Sequence, residues 1–281
     1  MNVIYSLLVV IMILLSTNIT AYAVPQILRL SDKQPVKYIQ FIEDIEHSDV
    51  IFVGETHDVA KQHENQLDII RSLHARNVPV AIGLEMFAAD SQQQLDEWTK
   101  GMLEEQYFKT IYAKNWSYDW QLYRDIFLFA RDNHIPMIAL NLPKPIISKV
   151  ISQGSTALND NDKKELPANI SWTLNPPQTE YLRRVTGQVF GNKLGAAMFT
   201  NFCAAQAARN SVIAWRISQY KEKSPKNKIV VITGTWHAIK NGVPELLKQY
   251  GRLKYSVILP DLPEFVIPNI TTDEADYFIL R

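Results

Sequence analysis

Several apolar stretches of this chain end abruptly in polar, ionisable side chains. The run Val50-Ile51-Phe52-Val53 is followed by Gly54-Glu55-Thr56-His57, and a helical pattern begins at once. A continuous run of β-branched and aromatic residues is typical of a strand buried on both faces, as in a parallel sheet covered by helices. Open α/β sheets usually hold their sites at the carboxyl edge. The segment 54–57 therefore predicts polar chemistry at the edge of an α/β sheet.

The same arrangement recurs along the chain. Strands are predicted over 80–84, 136–140 and 228–233, and they end in Glu85, Asn141 and the segment Gly234-Thr235-Trp236-His237. Further strands are predicted over 255–259, 265–267 and 277–280, and helices over 36–46 and 58–76. This alternation favours an α/β fold with a largely parallel central sheet flanked by helices. Because parallel strands end at one edge, we expect the polar endings to converge there.

Two segments depart from the alternation of strands and helices. Residues 101–125 are rich in aromatic side chains, and we interpret them as a helical excursion that covers the sheet edge. The rings either bury one another as a hydrophobic cap or present a flat surface to a planar ligand, with a tyrosine available to ligate iron. Residues 154–217 are interpreted as a long helical insertion.

The N-terminal segment predicts export. An apolar run over 7–15 precedes Ala21-Tyr22-Ala23, the layout of a signal peptide over residues 1–23, which leaves 24–281 as a single α/β domain. We therefore expect an exported protein of the periplasm or cell envelope. Membrane association stays open, although Cys203, the single cysteine, lies far from the position that lipidation requires. The 29 basic and 29 acidic residues balance and form no charged run, so nucleic acid is not predicted as a partner.

The ionisable strand endings suit two kinds of chemistry. Glu55, His57, Glu85 and His237 are residue types that ligate zinc, manganese or iron, so a divalent cation is one prediction. The same four side chains could instead act as general acid and base. A hydrogen-bonded structural network is the third alternative. His63, one helical turn further along, is predicted to be a partly exposed polar residue.

The order of motifs resembles the ChaN-like family of haem-binding uptake proteins. The resemblance rests on the segments 54–57, Leu84-Glu85-Met86-Phe87, Trp116 through Tyr123, Ala139-Leu140-Asn141-Leu142-Pro143 and 234–237, and it covers about residues 45–250. It implies an α/β domain of the wider Tiki/TraB and erythromycin-esterase-like superfamily, some members of which are metal-dependent hydrolases. Two departures are the missing lipidation cysteine and the bulky Trp236, where small residues are common in relatives.

The resemblance also implies a ligand and a partner. Family members are associated with haem, which binds in a pocket formed as two monomers pair. A tyrosine ligates the iron, and a histidine and a lysine of the partner hold the propionates. We therefore expect a haem-binding homodimer that acts in iron acquisition without catalysis of its own, with Tyr118 or Tyr123 on the iron and His57 or His237 near the propionates. The alternatives are a metal-dependent hydrolase that uses Glu55, His57, Glu85 and His237, and a module whose aromatic face binds a protein.

Overall fold

The computed structural model describes residues 26–190, 195–262 and 270–280. Eight strands form one sheet in this part of the chain: β1 (Ile27–Arg29), β2 (Gln34–Val36), β3 (Val50–Glu55), β4 (Val80–Ala88), β5 (Met137–Asn141), β6 (Lys228–Gly234), β7 (Tyr255–Pro260) and β8 (Tyr277–Ile279). The helices are α1 (Tyr38–Ile45), α2 (Ala60–Ala75), α3 (Gln92–Thr99), α4 (Glu105–Asn115), α5 (Trp120–Asp132), α6 (Lys144–Gln153), α7 (Asp160–Lys163), α8 (Pro176–Phe190), α9 (Ala196–Lys223), α10 (Thr235–Ala238) and α11 (Val243–Leu247).

The sheet is largely parallel, as the sequence predicts. Its order is β2-β1-β8-β7-β3-β6-β4-β5, and the strands from β8 to β5 all run in one direction. In the described part of the chain, the antiparallel pairings are those of β1 with β2 and with β8, at one edge of the sheet. The central strand β3 lies between β7 and β6, with Val53 in register with Ile232 on one side and Ile258 on the other.

Most strand predictions are confirmed to within a few residues. The exception is β4, which continues to Ala88, so Glu85 lies inside the strand at a shift in its register with β5. The hairpin of β1 and β2 was not predicted, because its strands have three residues each and β2 is largely exposed. The signal peptide at 1–23 and the strand at 265–267 lie outside the described residues.

Side chains of the central strands alternate between two hydrophobic clusters. Ile51 and Val53 face the cluster formed with α1 to α5, whereas Val50 and Phe52 face the cluster formed with α9 and α11. Because neighbouring residues of a strand point to opposite faces, a sheet covered on both sides needs apolar residues at every position. This requirement explains the unbroken apolar runs in the sequence.

The aromatic excursion is helical, as predicted, and most of its rings belong to the core. They include Phe108, Tyr112, Trp120 and Tyr123, which pack with the first cluster. Tyr107 and Tyr118 are the exposed tyrosines of this segment. The insertion after β5 is also helical over α7, α8 and α9, but residues 164–175 form no helix. None of the helices in the described part of the chain combines the length and the hydropathy of a membrane span.

Candidate functional site

The polar endings of three neighbouring strands meet at one edge of the sheet, which we call the rim. Glu55 of β3 lies in register with Gly234 of β6, and β6 also pairs with β4, which carries Glu85. Glu85 and His237 are buried beside Glu55, whereas His57 is partly exposed. The predicted convergence is confirmed. These side chains line a cleft of about 330 Å³, which we call the rim cleft.

Glu55 accepts hydrogen bonds on both carboxylate oxygens. Its Oε1 accepts from the Tyr123 hydroxyl at 2.5 Å and from Nδ1 of His57 at 2.8 Å. Its Oε2 accepts from Nε2 of Gln66 at 2.8 Å, and Nδ1 of His63 lies 3.2 Å away. Burial raises the pKa of a carboxyl group, but the two histidines outweigh it and lower the pKa of Glu55 to about 2. Glu55 is therefore ionised at neutral pH.

His63 is buried beneath Glu55, so its predicted exposure was wrong. Its Nε2 donates to the carbonyl oxygen of His57 at 3.2 Å, and its Nδ1 faces Oε1 of Gln66 at 3.1 Å. Only the doubly protonated imidazolium donates from both ring nitrogens. Burial opposes this charge, but the contact with Glu55 prevails and raises the pKa of His63. A histidine and a carboxylate thus form a buried pair under the rim.

Glu85 is the second saturated carboxylate of the rim. Its Oε1 accepts from Nη2 of Arg209 at 2.5 Å, while its Oε2 accepts from the Thr233 hydroxyl at 2.5 Å and from the Gly234 backbone N–H at 2.7 Å. Burial disfavours its charge, but the surrounding cations and donors hold the pKa of Glu85 well below its usual range. Asn141 supports the pair, because its Oδ1 accepts from Nε of Arg209 at 3.1 Å.

His237 is a neutral, buried histidine. Its Nδ1 donates to Oδ1 of Asn210 at 2.5 Å, and its Nε2 lies 3.6 Å from Oε1 of Glu85, which is too far for a hydrogen bond. Burial lowers the pKa of His237 to about 3, although the charge of Glu85 acts in the opposite direction. Trp236 packs edge-on against this ring, with 4.7 Å between ring centroids, and also lines the rim cleft.

The geometry gives no support to the predicted cation site at Glu55, His57, Glu85 and His237. Within residues 26–190, 195–262 and 270–280, no three His, Cys, Asp or Glu side chains are placed to hold a metal ion. The carboxylate oxygens already accept from protein donors, and Nδ1 of each rim histidine is also bonded. The arrangement matches the third alternative predicted from the sequence, a hydrogen-bonded structural network. A metal-dependent hydrolase is not favoured.

Tyr118 stands at the mouth of the rim cleft. Its ring lies 5.0 Å from that of His57 and 5.5 Å from that of Trp116, measured between centroids. The side chain is 37% exposed, and its hydroxyl has no hydrogen-bond partner in the described part of the chain. Partial burial, together with the nearby carboxylates of Asp58 and Glu55, raises the pKa of Tyr118.

Tyr123 is poorly placed for the role of iron ligand that was predicted from the sequence. Its side chain is 1% exposed, and its hydroxyl donates to Glu55. Burial and the negative charge of Glu55 both raise the pKa of Tyr123. Unlike Tyr118, Tyr123 is also inaccessible, and its hydroxyl is already bonded to Glu55. Of the four residues predicted to bind the cofactor, Tyr118, His57 and His237 line the cleft, although His237 is largely buried, whereas Tyr123 is buried and is not part of the lining.

Gly234 leaves room for the His57 ring, and this gives a first prediction. A Cβ added at Gly234 would lie 3.0 Å from Cε1 of His57 and 3.3 Å from its Nε2. Gly234→Ala is therefore expected to displace the ring and lower the free energy of unfolding by about 1–3 kcal/mol, as overpacking usually does. Urea unfolding measures the change.

Gly187→Ala is the control for this substitution, because a Cβ there would meet no atom of the described residues within 4 Å. Gly187 lies inside α8, where alanine is expected to stabilise the helix by roughly 0.5–1 kcal/mol. An unchanged or higher stability of the Gly234→Ala variant would contradict the close fit of the His57 ring.

Several rim residues were not predicted from the sequence. Arg209 and Asn210 reach the rim from α9, and Gln66 reaches it from α2. The first two are a guanidinium and an amide within the mostly small and apolar stretch around 204–214, which was the available signal. Gln66 follows His63 by three residues, which places both on one face of a helix.

Comparison with known proteins decides the family. The sequence model of the family described as "Haem-binding uptake, Tiki superfamily, ChaN" matches residues 41–247, a span that includes every rim residue. The chain belongs to this ChaN-like haem-binding family. The match confirms the resemblance that the motifs at 54–57, 84–87 and 234–237 indicate.

Solved structures share the fold of this ChaN-like chain. The structure described as "Cofacial heme binding to ChaN of Campylobacter jejuni" is similar with a TM-score of 0.74 and 17% identity, covering 90% of this chain and 95% of that one. A succinoglycan biosynthesis protein is similar with a TM-score of 0.50 and 14% identity, covering 84% of this chain and 72% of the other. At these identities the similarity shows the fold alone.

A plant protein shares part of the sequence of the ChaN-like chain. Protein RETICULATA-RELATED 5, a chloroplastic protein of Arabidopsis thaliana, is 25% identical over 129 residues, which are 43% of this chain and 17% of the relative. The chain therefore spans only a small part of the length of this curated relative.

Proposed function

We propose that this chain is an exported haem-binding protein that serves haem or iron acquisition and has no catalysis of its own. The observation that carries the proposal is the Tyr118 hydroxyl, which is accessible at the mouth of the rim cleft and free of hydrogen bonds within the described ranges. Tyrosine is an established axial ligand of haem iron. Membership of a haem-binding family supports the same ligand.

The surroundings of Tyr118 fit a porphyrin. The rings of His57 and Trp116 lie beside it, and Trp236 and Tyr181 belong to the lining of the cleft. Bound haem would supply a ferric ion for the phenolate of Tyr118, and His57 would lie near the propionates. A volume of about 330 Å³ is near the lower end of the range of about 300–1,000 Å³ for ligand pockets. One chain therefore encloses a porphyrin only in part, and we propose that a second copy covers the rest.

Export is the second part of the proposal. It is supported by the signal peptide predicted over 1–23, and it places the mature protein in the periplasm or cell envelope. N-terminal sequencing of protein from the cell envelope fraction is expected to begin at Val24. Recovery of the uncleaved chain in the cytoplasmic fraction would contradict export but leave the haem assignment intact.

The test of haem binding is a titration with hemin followed in the Soret region. The wild-type protein is expected to shift the Soret band at stoichiometric hemin, and Tyr118→Phe, which removes the ligating oxygen, is expected to weaken binding at least roughly ten-fold, a loss of about 1.4 kcal/mol. Analytical ultracentrifugation with and without hemin tests the pairing of two chains.

Tyr107→Phe is the matched control, because Tyr107 is an exposed tyrosine of the same aromatic segment that does not line the rim cleft. It is expected to bind hemin like the wild type. The absence of any Soret shift in the wild type would overturn the proposed function, whereas equal binding by the two variants would overturn only the role of Tyr118.

A further inference from the structure

A second cleft, of about 450 Å³, adjoins the rim cleft at the carboxyl ends of β4 and β5. Met86 of β4 and Leu142, which follows β5, belong to its lining, and α4 and α6 supply further lining residues. Arg209 lines both clefts, so its guanidinium, paired with Glu85, forms a wall between them. We call this space the lysine cleft, after Lys114 and Lys144 in its lining. Its position at the end of a largely parallel sheet is typical of ligand sites.

Positive charge is in excess around the lysine cleft. Lys114 lies in the last turn of α4 and Lys144 in the first turn of α6, and Nζ of Lys144 donates to the carbonyl oxygen of Lys114 at 2.8 Å. Neither lysine forms an ion pair with a described residue. Asp90 is the one acidic residue in the described lining. Because the whole chain carries no net charge, this excess is local, and a cleft with an excess of one sign attracts a ligand of the other.

Part of the remaining lining is apolar, and one of its polar side chains has unmet hydrogen-bonding capacity. Ile111 and Ile147 contribute apolar side chains, and Tyr107 is 58% exposed beside them. The buried amide oxygen of Gln94 has no hydrogen-bond partner among the residues that the structure describes. The two ends of an amide are assigned from their partners, so this side chain can present either an acceptor or an N–H donor to a ligand.

We propose that the lysine cleft is a binding site for an organic carboxylate with an apolar body. Lys114 and Lys144 attract the carboxylate, and the positive end of the α6 dipole adds to the attraction. Ile111, Ile147 and Tyr107 cover the apolar part. This site goes beyond the proposed haem function, because it requires neither Tyr118 nor His57. Binding of a carboxylate by Lys114 and Lys144 would leave the ion pair of Arg209 with Glu85 intact.

The probe is 8-anilinonaphthalene-1-sulfonate, an aromatic anion whose fluorescence rises in apolar surroundings, and sodium benzoate is the competitor. Lys144→Glu reverses one charge and is expected to weaken binding of the probe roughly ten-fold. The variant is expected to fold, since an acidic residue in the first turn of a helix is favourable. Lys109→Glu is the matched control, because Lys109 is an exposed residue of α4 outside the cleft.

Each outcome decides the proposal. Weaker binding of the probe by Lys144→Glu, unchanged binding by Lys109→Glu and displacement by benzoate would support it. Equal binding by both variants, or no displacement by benzoate, would overturn the site. If inorganic phosphate displaced the probe as well as benzoate does, the proposal that the apolar lining contributes to binding would be overturned. A Tyr118→Phe variant is expected to bind the probe normally, so failure of the haem assignment would be seen separately.

Discussion

Replacing Glu85 with alanine is expected to lower the free energy of unfolding by about 3–5 kcal/mol, the usual cost of leaving one partner of a buried ion pair alone. The carboxylate accepts from Arg209 and Thr233 at 2.5 Å each and from the N–H of Gly234 at 2.7 Å. Without it, the guanidinium remains unpaired in a site of low dielectric constant, and two further donors lose their acceptor. Urea unfolding at pH 7 measures the loss.

Glu105→Ala is the matched control for this prediction. Glu105 forms a two-pronged pair with Arg124, at 2.5 and 2.9 Å, but both side chains are about one-third exposed. Exposed pairs contribute little to stability, so the loss is expected to be far smaller. The double variant Glu85→Leu/Arg209→Leu is expected to lose less than the sum of its single variants, because no charge is left unpaired. If Glu85→Ala and Glu105→Ala lowered the free energy of unfolding by similar amounts, the larger contribution expected of the buried pair would be contradicted.

Acid is expected to destabilise the protein through His237 before the carboxylates are protonated. Burial lowers the pKa of His237 from 6.5 to about 3. Below pH 6.5 the unfolded chain therefore binds a proton that the folded chain does not, and the free energy of unfolding falls by about 1.4 kcal/mol per pH unit. Between pH 7 and 4.5 this amounts to roughly 2–3 kcal/mol. Below pH 4.5 the lowered pKa of Glu55 adds a loss of the same sign.

His237→Gln is expected to show a smaller loss of stability between pH 7 and 4.5, measured by urea unfolding at each pH. The contribution of His57 to the free energy of unfolding is expected to depend on pH in the opposite direction, and His57→Gln tests this. The contact with Glu55 outweighs burial and raises the pKa of His57, so its contribution is present below pH 6.5 and is lost as the pH rises through the folded value. The gap between wild type and His57→Gln is therefore expected to widen as the pH falls to about 6.5 and to change little below that pH. Parallel pH profiles for wild type and His237→Gln would contradict a neutral buried His237.

The sheet was predictable because its signals are local. Each central strand is an apolar run buried on both faces, and its polar ending follows in the sequence, as Glu55 follows Val50–Val53. The parallel direction then brings Glu55, Glu85 and His237 together without any knowledge of side-chain contacts. The edge hairpin Ile27–Val36 was missed because short, exposed strands lack such a run.

The partners of the rim residues depend on how the helices pack on the sheet. Arg209 meets Glu85 across 124 positions of sequence, and Tyr123 meets Glu55 across 68. Helical periodicity shows which face of α5 or α9 is apolar, but not which residue of that face lies opposite a given strand end. For this reason the sequence could not rank Tyr118 against Tyr123.

The amino-acid sequence by itself determined the α/β class, the parallel strands and the rim that Glu55, His57, Glu85 and His237 share, because these follow from apolar runs and from the direction of the strands. Only the tertiary structure decided that both rim glutamates are saturated by protein donors, that His63 is buried and that no described residue hydrogen-bonds to the Tyr118 hydroxyl. Hydrogen bonds between distant side chains exist only once the helices have docked, and their docking fixes distances that no local pattern records.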